Sequence, residues 1–430
     1  SMMRVNLKTL HQGTIPVNTY AINLSVSGSG KGFSTNIIEE SVIHLFKERF
    51  LTETFPTLAN QSIRKEAIRR APRHNIPVDE MEEKLTKEFE MLGPLLFSFD
   101  SGTSPAIKQM RHKLLMSGAG SINLEIDEIG SNLVHNTDVL NTFLELYDVG
   151  KIKPKLIKNT AENLRSEEID GKTPTNMMLY GTPSKLMNGG RTEEEYMSML
   201  DTGYARRCLF GYSTKVLTDV SVTPEDLFDM LTDTSSDTVL DDLAISMHKL
   251  ADPINFNSEL ALLKPESLLL LEYKQLCEKR ARSMREFEEI QKAEMSHRYF
   301  KALKLAGAYA FIDSSHVVTS SHLYSAFKLV EDSGEAFARM LNRPRTHERV
   351  AIYLADVRKE VTHVDLMEDL PFFRGGAAHR KDIMTQAIAW GYRNNIVIRT
   401  SHSDSIEFFK GETMDETDMS NLLISYSTDI

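Results

Sequence analysis

The sequence predicts an α/β protein whose first half is built on a sheet, followed by a helical bundle and then a small module of helices and a hairpin. Three observations carry that prediction. Strand-like segments alternate with amphipathic helical ones through the first half, which implies a largely parallel sheet covered on both faces. The first strand runs into a glycine-rich turn that opens a helix. Near the end, three helical segments lead into two strands joined by a turn.

Taken in order, Tyr20-Ala-Ile-Asn-Leu-Ser-Val26 alternates and is rich in strand formers, and it stops at the turn Ser27-Gly28-Ser29-Gly30-Lys31-Gly32. Over about residues 36–98 apolar side chains recur at helical spacing between dense charges, as in Ile37, Ile38, Val42, Leu45 and Phe46, so a helical insertion is expected. Ser121-Ile-Asn-Leu-Glu-Ile-Asp127-Glu128 reads as a second strand and Thr175-Asn-Met-Met-Leu-Tyr-Gly181 as a third. After Tyr212 the strand signals fade, and residues 216–342 read as a helical lid or bundle whose helices have mixed charged faces, as over Leu268 to Met295. Helices are then expected over Thr346–Lys359, Thr362–Leu370 and about Ala377–Tyr392. Strands Ile396–Thr400 and Ser405–Phe409 close over Ser401–Asp404, the pattern of a winged helix-turn-helix. The resulting plan is a core over 1–215, the helical lid, a winged helix over 343–410 and a tail over 411–430. That tail carries Glu412, Asp415, Glu416, Asp418 and Asp429 with no Lys or Arg, and reads as disordered.

Composition narrows the class. The 430 residues are 41% hydrophobic and 26% charged, ordinary values for a globular protein of two or three domains. No stretch is apolar over the roughly 18 residues a bilayer span needs, and no signal-peptide layout opens the chain, so no membrane association and a cytoplasmic location are expected. Cys208 and Cys277 are the only cysteines, which excludes a disulfide framework and a cysteine zinc site. A formal net charge of −11 argues against a surface that coats nucleic acid, though not against a motor with a basic lining.

The glycine turn is a degenerate phosphate-binding loop. Glycines let backbone N–H groups face a polyphosphate, a helix N-terminus points at it, and one Lys reaches its terminal phosphates. Ser27, Gly28, Ser29, Gly30, Lys31, Gly32 and Phe33 are therefore the expected nucleotide contacts. Two parts differ from the usual pattern: Ser25 stands in place of a first Gly, and Gly32 in place of the hydroxyl that holds Mg²⁺, leaving Ser34 or Thr35 to substitute. The strand Leu124-Glu-Ile126-Asp127-Glu128 supplies two acids at a strand end, where Asp127 would organise the metal shell and Glu128 the attacking water. Open parallel sheets place their ligands at that edge.

Over about residues 20–212 six motifs occur in order: Ser25–Lys31, Gly102-Thr-Ser-Pro105-Ala-Ile, Glu125-Ile-Asp127-Glu128-Ile, Phe143-Leu-Glu-Leu-Tyr147-Asp148-Val-Gly, Met178-Leu-Tyr-Gly181-Thr182-Pro183-Ser-Lys-Leu and Gly203-Tyr-Ala-Arg-Arg207-Cys-Leu-Phe. Together they resemble an uncharacterised ATPase family found behind primase modules in phages, plasmids and genomic islands. Downstream, His297-Arg298-Tyr-Phe-Lys-Ala-Leu-Lys-Leu-Ala and the terminal module resemble minichromosome-maintenance helicases of the AAA+ class. The resemblance implies a RecA-like or AAA+ P-loop ATPase core with a helical lid and a C-terminal winged helix. It implies ATP and Mg²⁺ as cofactors, a ring that is a hexamer, and a separate primase or other replication protein as partner in a bacterial host cell. It implies Thr182 near the first-sensor position, Arg207 as a finger reaching a neighbour's nucleotide and Arg298 as a second sensor. Thr182 departs from the Asn usual there. Arg206 and Arg207, read as strand residues before Cys208, also suit a structural salt bridge.

Single-stranded DNA would be tracked by Lys151-Ile-Lys153-Pro-Lys155-Leu-Ile-Lys158, whose alternating cations share one face of an extended hairpin. A solvated edge strand fits the same pattern. Arg64-Lys65, Arg69-Arg70 and Arg73 form a further basic stretch that also suits a solvated helix face. In the last module Arg380 and Lys381 lie on the expected recognition helix, flanked by Arg374 and Arg393, and are expected to contact DNA, with docking of a protein partner as the alternative. Three functions stay open at this point: a ring helicase or translocase, an ATP-dependent loader, packaging or initiator switch, and a non-enzymatic DNA-binding or interaction protein.

Overall fold

The computed structural model describes residues 1–9, 13–129, 137–152, 171–187, 189–214, 222–235, 237–285, 288–357 and 359–414. The chain divides into two compact units, the first Ser1–Leu186 with Tyr196–Arg339 and the second Met187–Glu195 with Met340–Ile430. The segments expected as core and lid thus lie largely in one unit.

In the first unit, strands β1 (Asn6–Lys8) and β2 (Thr14–Pro16) precede β3 (Tyr20–Ser25), β4 (Ile122–Ile126), β5 (Thr175–Gly181) and β6 (Cys208–Ser213), with β7 (Glu259–Leu262) and β8 (Val317–Val318) following. The main sheet has the order β4-β5-β3-β6 and is parallel throughout. A smaller sheet, β2-β1-β7-β8, was not foreseen, because its strands are two to four residues long and too short for a period to show. The helical stretch over Leu268–Met295 falls in two helices, Lys264–Ser283 and Glu289–Ile312.

Helical backbone runs without interruption from Lys31 to His74, passing through π turns at Ile38–Ile43 and Phe50–Thr54. The second π turn has a sequence cause. Pro56 has no N–H to give the Thr52 carbonyl, and a widened turn absorbs the mismatch. Under the main sheet Tyr20, Phe143, Tyr147 and Tyr204 form an aromatic cluster in which Tyr20 donates its hydroxyl to the Phe143 carbonyl at 2.6 Å and Tyr204 to the Leu140 carbonyl at 2.7 Å. Glu294, Arg298 and Lys301 share one face of the Glu289–Ile312 helix and form a buried ion cluster. Lys304, one turn on, donates to Pro16, Asn18 and Tyr147, and burial lowers its ammonium to about 7.

The second unit packs helices Thr346–Val357, His363–Asp369 and Ala377–Arg393 with the antiparallel sheet β10-β11-β9, where β9 is Val361–Thr362, β10 Ile396–Ser403 and β11 Ile406–Thr413. Its core holds Val350, Leu354, Leu366, Phe373, Ile383, Ala387, Ile398 and Phe409. Ile383, Met384, Ala387 and Gly391 fall on one stripe of the Ala377–Arg393 helix, which is why that segment is legible as amphipathic. The hairpin is longer than its sequence suggested: Ser403 pairs with Ile406, so the turn is Asp404-Ser405. Both turn residues have positive φ, 49° and 65°, as a two-residue hairpin turn of the right twist requires. Strand β11 also takes in Gly411–Thr413, assigned from sequence to the tail; residues 415–430 lie outside the described ones.

Candidate functional site

The site forms because β5 lies between β3 and β4. The loop after β3 and the acids after β4 are thereby separated by the width of one intervening strand, and the residues after β5 stand between them. Gly28 and Gly30 have φ of 81° and 78°, a left-handed conformation that glycine adopts without strain. A Cβ added at Gly28, Gly30 or Gly32 would meet nothing within 4 Å, so the loop faces open space rather than forming a packed turn. Ser25 and Ser29 bridge its base through their hydroxyls at 2.8 Å. Ser27 and Phe33 are exposed at its rim.

Lys31 opens the helix and folds back over the loop. Its Nζ donates to the carbonyls of Ser25 (3.3 Å) and Gly181 (3.2 Å) and stands 4.0 Å from Glu128 Oε2. Thr182 donates its hydroxyl to the same carboxylate oxygen at 3.3 Å, and Lys185 lies 3.5 Å from the other oxygen. Lys31, Glu128 and Thr182, far apart in sequence, are thus brought together at the C-terminal edge of three adjacent parallel strands. Lys185 was missed by sequence reasoning. Its signal was available, three residues after Thr182 in a segment already singled out.

Asp127 is exposed beside Glu128. Two residues before Asp127, burial and then Glu39 raise the Glu125 carboxyl, with Asp127 adding to the effect. Of the two hydroxyls that follow Gly32, Thr35 is engaged with the Lys31 carbonyl at 2.6 Å, whereas Ser34 is exposed with its side chain outward.

The arginines do not join this cluster. Arg206 and Arg207 sit on the helical turn Ala205–Arg207, not on the strand as expected, since the backbone enters β6 only at Cys208. Gly203 permits that turn with a φ of 126°, and a Cβ there would lie 2.8 Å from Arg207 Nη1. Arg207 Nη2 bonds Asp148 at 2.7 Å and its guanidinium stands over the Tyr147 ring. Both arginines line a cavity of about 360 Å³ with Asp148, His297, Tyr299 and Phe300. Burial and then the charge of Arg207 lower the Arg206 guanidinium, a sign of crowded positive charge. Arg298 is buried, bonded to Glu294 and, at 2.9 Å, to Glu331. Glu294 and Glu331 belong to the helices Glu289–Ile312 and Ser320–Leu341, not to the loop, so a sensor role would require that pairing to open.

Lys151 is exposed just beyond the Thr137–Val149 helix, and Lys153, Lys155 and Lys158 lie outside the described residues. In the second unit Lys381 and Arg393 project from the exposed face of the Ala377–Arg393 helix, while Arg380 turns back to the Gly375 carbonyl at 2.6 Å. Among the described residues no cluster of His, Cys, Asp or Glu could hold a metal by itself, and no helix is long and apolar enough to cross a membrane. No family model matches the chain, and no curated protein matches it.

Proposed function

We propose that this chain is a nucleoside-triphosphate-driven ring motor, a RecA-like or AAA+ P-loop ATPase with a helical lid and a C-terminal winged helix, acting as the helicase or translocase of a phage or mobile-element replication system. The observation that carries the proposal is the convergence of Lys31, Glu128 and Thr182 on one edge of a parallel sheet, beside an open glycine turn. That edge is where parallel sheets bind phosphate-bearing ligands, and this set of groups is what phosphoryl transfer to water needs.

The residues fit a polyphosphate. The loop offers left-handed glycines with free space before them and a cation at the helix start. ATP bound with Mg²⁺ would supply the phosphoanhydride whose hydrolysis drives motion. Lys31 gives counter-charge to the terminal phosphates, leaving the Ser25 and Gly181 carbonyls as it extends. Glu128 accepts the proton of the attacking water on its carboxylate. Thr182 fixes that carboxylate through Oε2, and Lys185 steadies the other oxygen. Asp127 and Ser34 would hold the metal. Arg207 would swing from Asp148 toward a neighbouring copy's phosphate, which a cation supplied in trans can accelerate by roughly 10³ to 10⁵ fold. Single-stranded DNA would run along the Lys151–Lys158 segment and a hexamer would enclose it, with a separate primase as partner.

A loader or initiator switch that binds nucleotide without unwinding is the second reading. Gly32 at the metal-hydroxyl position and the commitment of Thr35 to the helix favour it. Turnover with and without single-stranded DNA, measured alongside solution mass, separates the two. Lys31→Ala is expected to weaken nucleotide binding, and Glu128→Gln to keep binding while abolishing turnover. Wild-type hydrolysis by Glu128→Gln would refute the assignment, and turnover indifferent to DNA would favour the switch.

A further inference from the structure

The helix Pro224–Thr232 is short, nine residues, yet every side chain described on it is exposed, including Leu227 at 50% and Phe228 at 65%. Thr223 caps it, accepting from the Asp226 N–H, and Pro224 occupies its first turn. Capping alone leaves so short a helix marginal in water, since most helical stability comes from packing an apolar face. The surrounding charge is one-sided. From Val216 to His248 the chain carries Asp219, Glu225, Asp226, Asp229, Asp233, Asp237, Asp241 and Asp242 and no Lys or Arg. Glu225 and Asp226 also favour the helix start, but Asp229 and Asp233 lie too far along to do so.

The same chain carries the complement. On the outer face of the Phe55–His74 helix, Ile68 (54% exposed) and Pro72 form an apolar spot surrounded by Arg64, Lys65, Arg69 and Arg73, all exposed. Arg64 holds Glu82 in a largely exposed pair that contributes little, while Arg69 shares the mostly buried Glu66 with Arg70. An apolar pair ringed by acids therefore exists beside an apolar pair ringed by bases, on different elements of one unit.

We propose that the Pro224–Thr232 helix docks on the Arg64–Arg73 face of a second copy of this chain, with Leu227 and Phe228 over Ile68 and Pro72 and the acids against the bases. The two surfaces differ, so the contact is head-to-tail and propagates around a closed ring. The apolar pair supplies affinity and the charges supply register and salt sensitivity. This deepens the ring part of the reading above and rests on it.

The test is solution mass by mass photometry across protein and salt concentration. Leu227→Ala with Phe228→Ala is expected to weaken assembly at least about 30-fold, as truncating an aromatic anchor does. Asp226→Lys with Asp229→Lys, and separately Lys65→Glu with Arg73→Glu, should each block self-assembly. Mixing those two charge-reversed proteins should restore it, because every junction in an alternating ring is then complementary. Circular dichroism unchanged from the parent confirms that each variant folds. Assembly unaffected by the reversals, or a mixture of folded variants that stays apart, overturns the contact. Nucleotide binding dependent on Lys31, followed in the same samples, distinguishes the failures: its persistence leaves the ATPase reading intact, and its absence from the parent defeats that reading independently.

Discussion

Removing Glu294 should cost this protein more than any other single carboxylate among those described. Its side chain is 2% exposed and binds Arg298 Nη2 at 2.9 Å and Lys301 at 2.7 Å, themselves 7% and 2% exposed. In Glu294→Ala, Arg298 retains Glu331 while Lys301 retains only the Cys208 carbonyl at 3.0 Å. One buried ammonium is then left without a counter-charge, a change that typically costs about 3–5 kcal/mol. Domain stabilities are about 5–15 kcal/mol, so the loss is a large fraction of the whole. Acid titration supplies a second readout. Burial pushes the Glu294 carboxyl up, and Lys301 and Arg298 outweigh it, holding the group below the usual range. Its folded-state pKa is thus below the unfolded value of about 4.3, so its contribution is present above that pH and is lost as pH falls through the lower, folded value. Urea unfolding at pH 7 and at pH 3 measures both effects: the parent weakens in acid, and Glu294→Gln weakens less. Replacing Glu294, Arg298 and Lys301 together by Met or Leu should be far milder than Glu294→Ala, because no orphaned charge remains. A loss under about 1 kcal/mol for Glu294→Ala would refute the reasoning.

Three further outcomes are expected. Thr362→Ala removes the capping box that Thr362 forms with Asp365, and should lower the stability of the second unit by about 1 kcal/mol in denaturant unfolding. Burial pushes the Cys277 thiol up to about 11 and Cys208 higher still, so a chromogenic disulfide at pH 8 should react with neither until the chain unfolds. Mixing Arg207→Ala with Lys31→Ala chains should recover part of the lost turnover at mixed junctions; full activity in Arg207→Ala alone would remove the finger role.

What the sequence made legible depended on length and local pattern. Strands β3, β4 and β5 are five to seven residues long, and a glycine or an acid pair stands at or just beyond the end of each, so their bounds were readable to within two residues. Strands β1, β2, β7 and β8 carry no period, and they form through partners distant in sequence, as Asn6 does with Glu259. Lys31 and Glu128 could be named from the loop and the acid pair. Their meeting could not, because it follows from β5 inserting between β3 and β4. Arg298 shows the converse limit: a motif can mark a residue without showing that Glu294 and Glu331 already hold it. Asp148 as the partner of Arg207 likewise appears only when the Thr137–Val149 helix packs near β6.

The uninterrupted helix from Lys31 to His74 gives the molecule a transmission shaft. At about 1.5 Å per residue its 44 residues would extend roughly 65 Å if straight, with the glycine turn after β3 at one end and Lys65, Ile68 and Arg73 toward the other. A displacement of Lys31 therefore has a direct route to the face on which a neighbouring copy is proposed to dock, with no hinge loop to dissipate it. The π turns at Ile38–Ile43 and Phe50–Thr54 are the shaft's compliant couplings, each holding a residue out of α-helical step. Slippage of one such turn into α-helical register would rotate everything beyond it by about 100°, so that torsion as well as thrust would pass from one copy to the next.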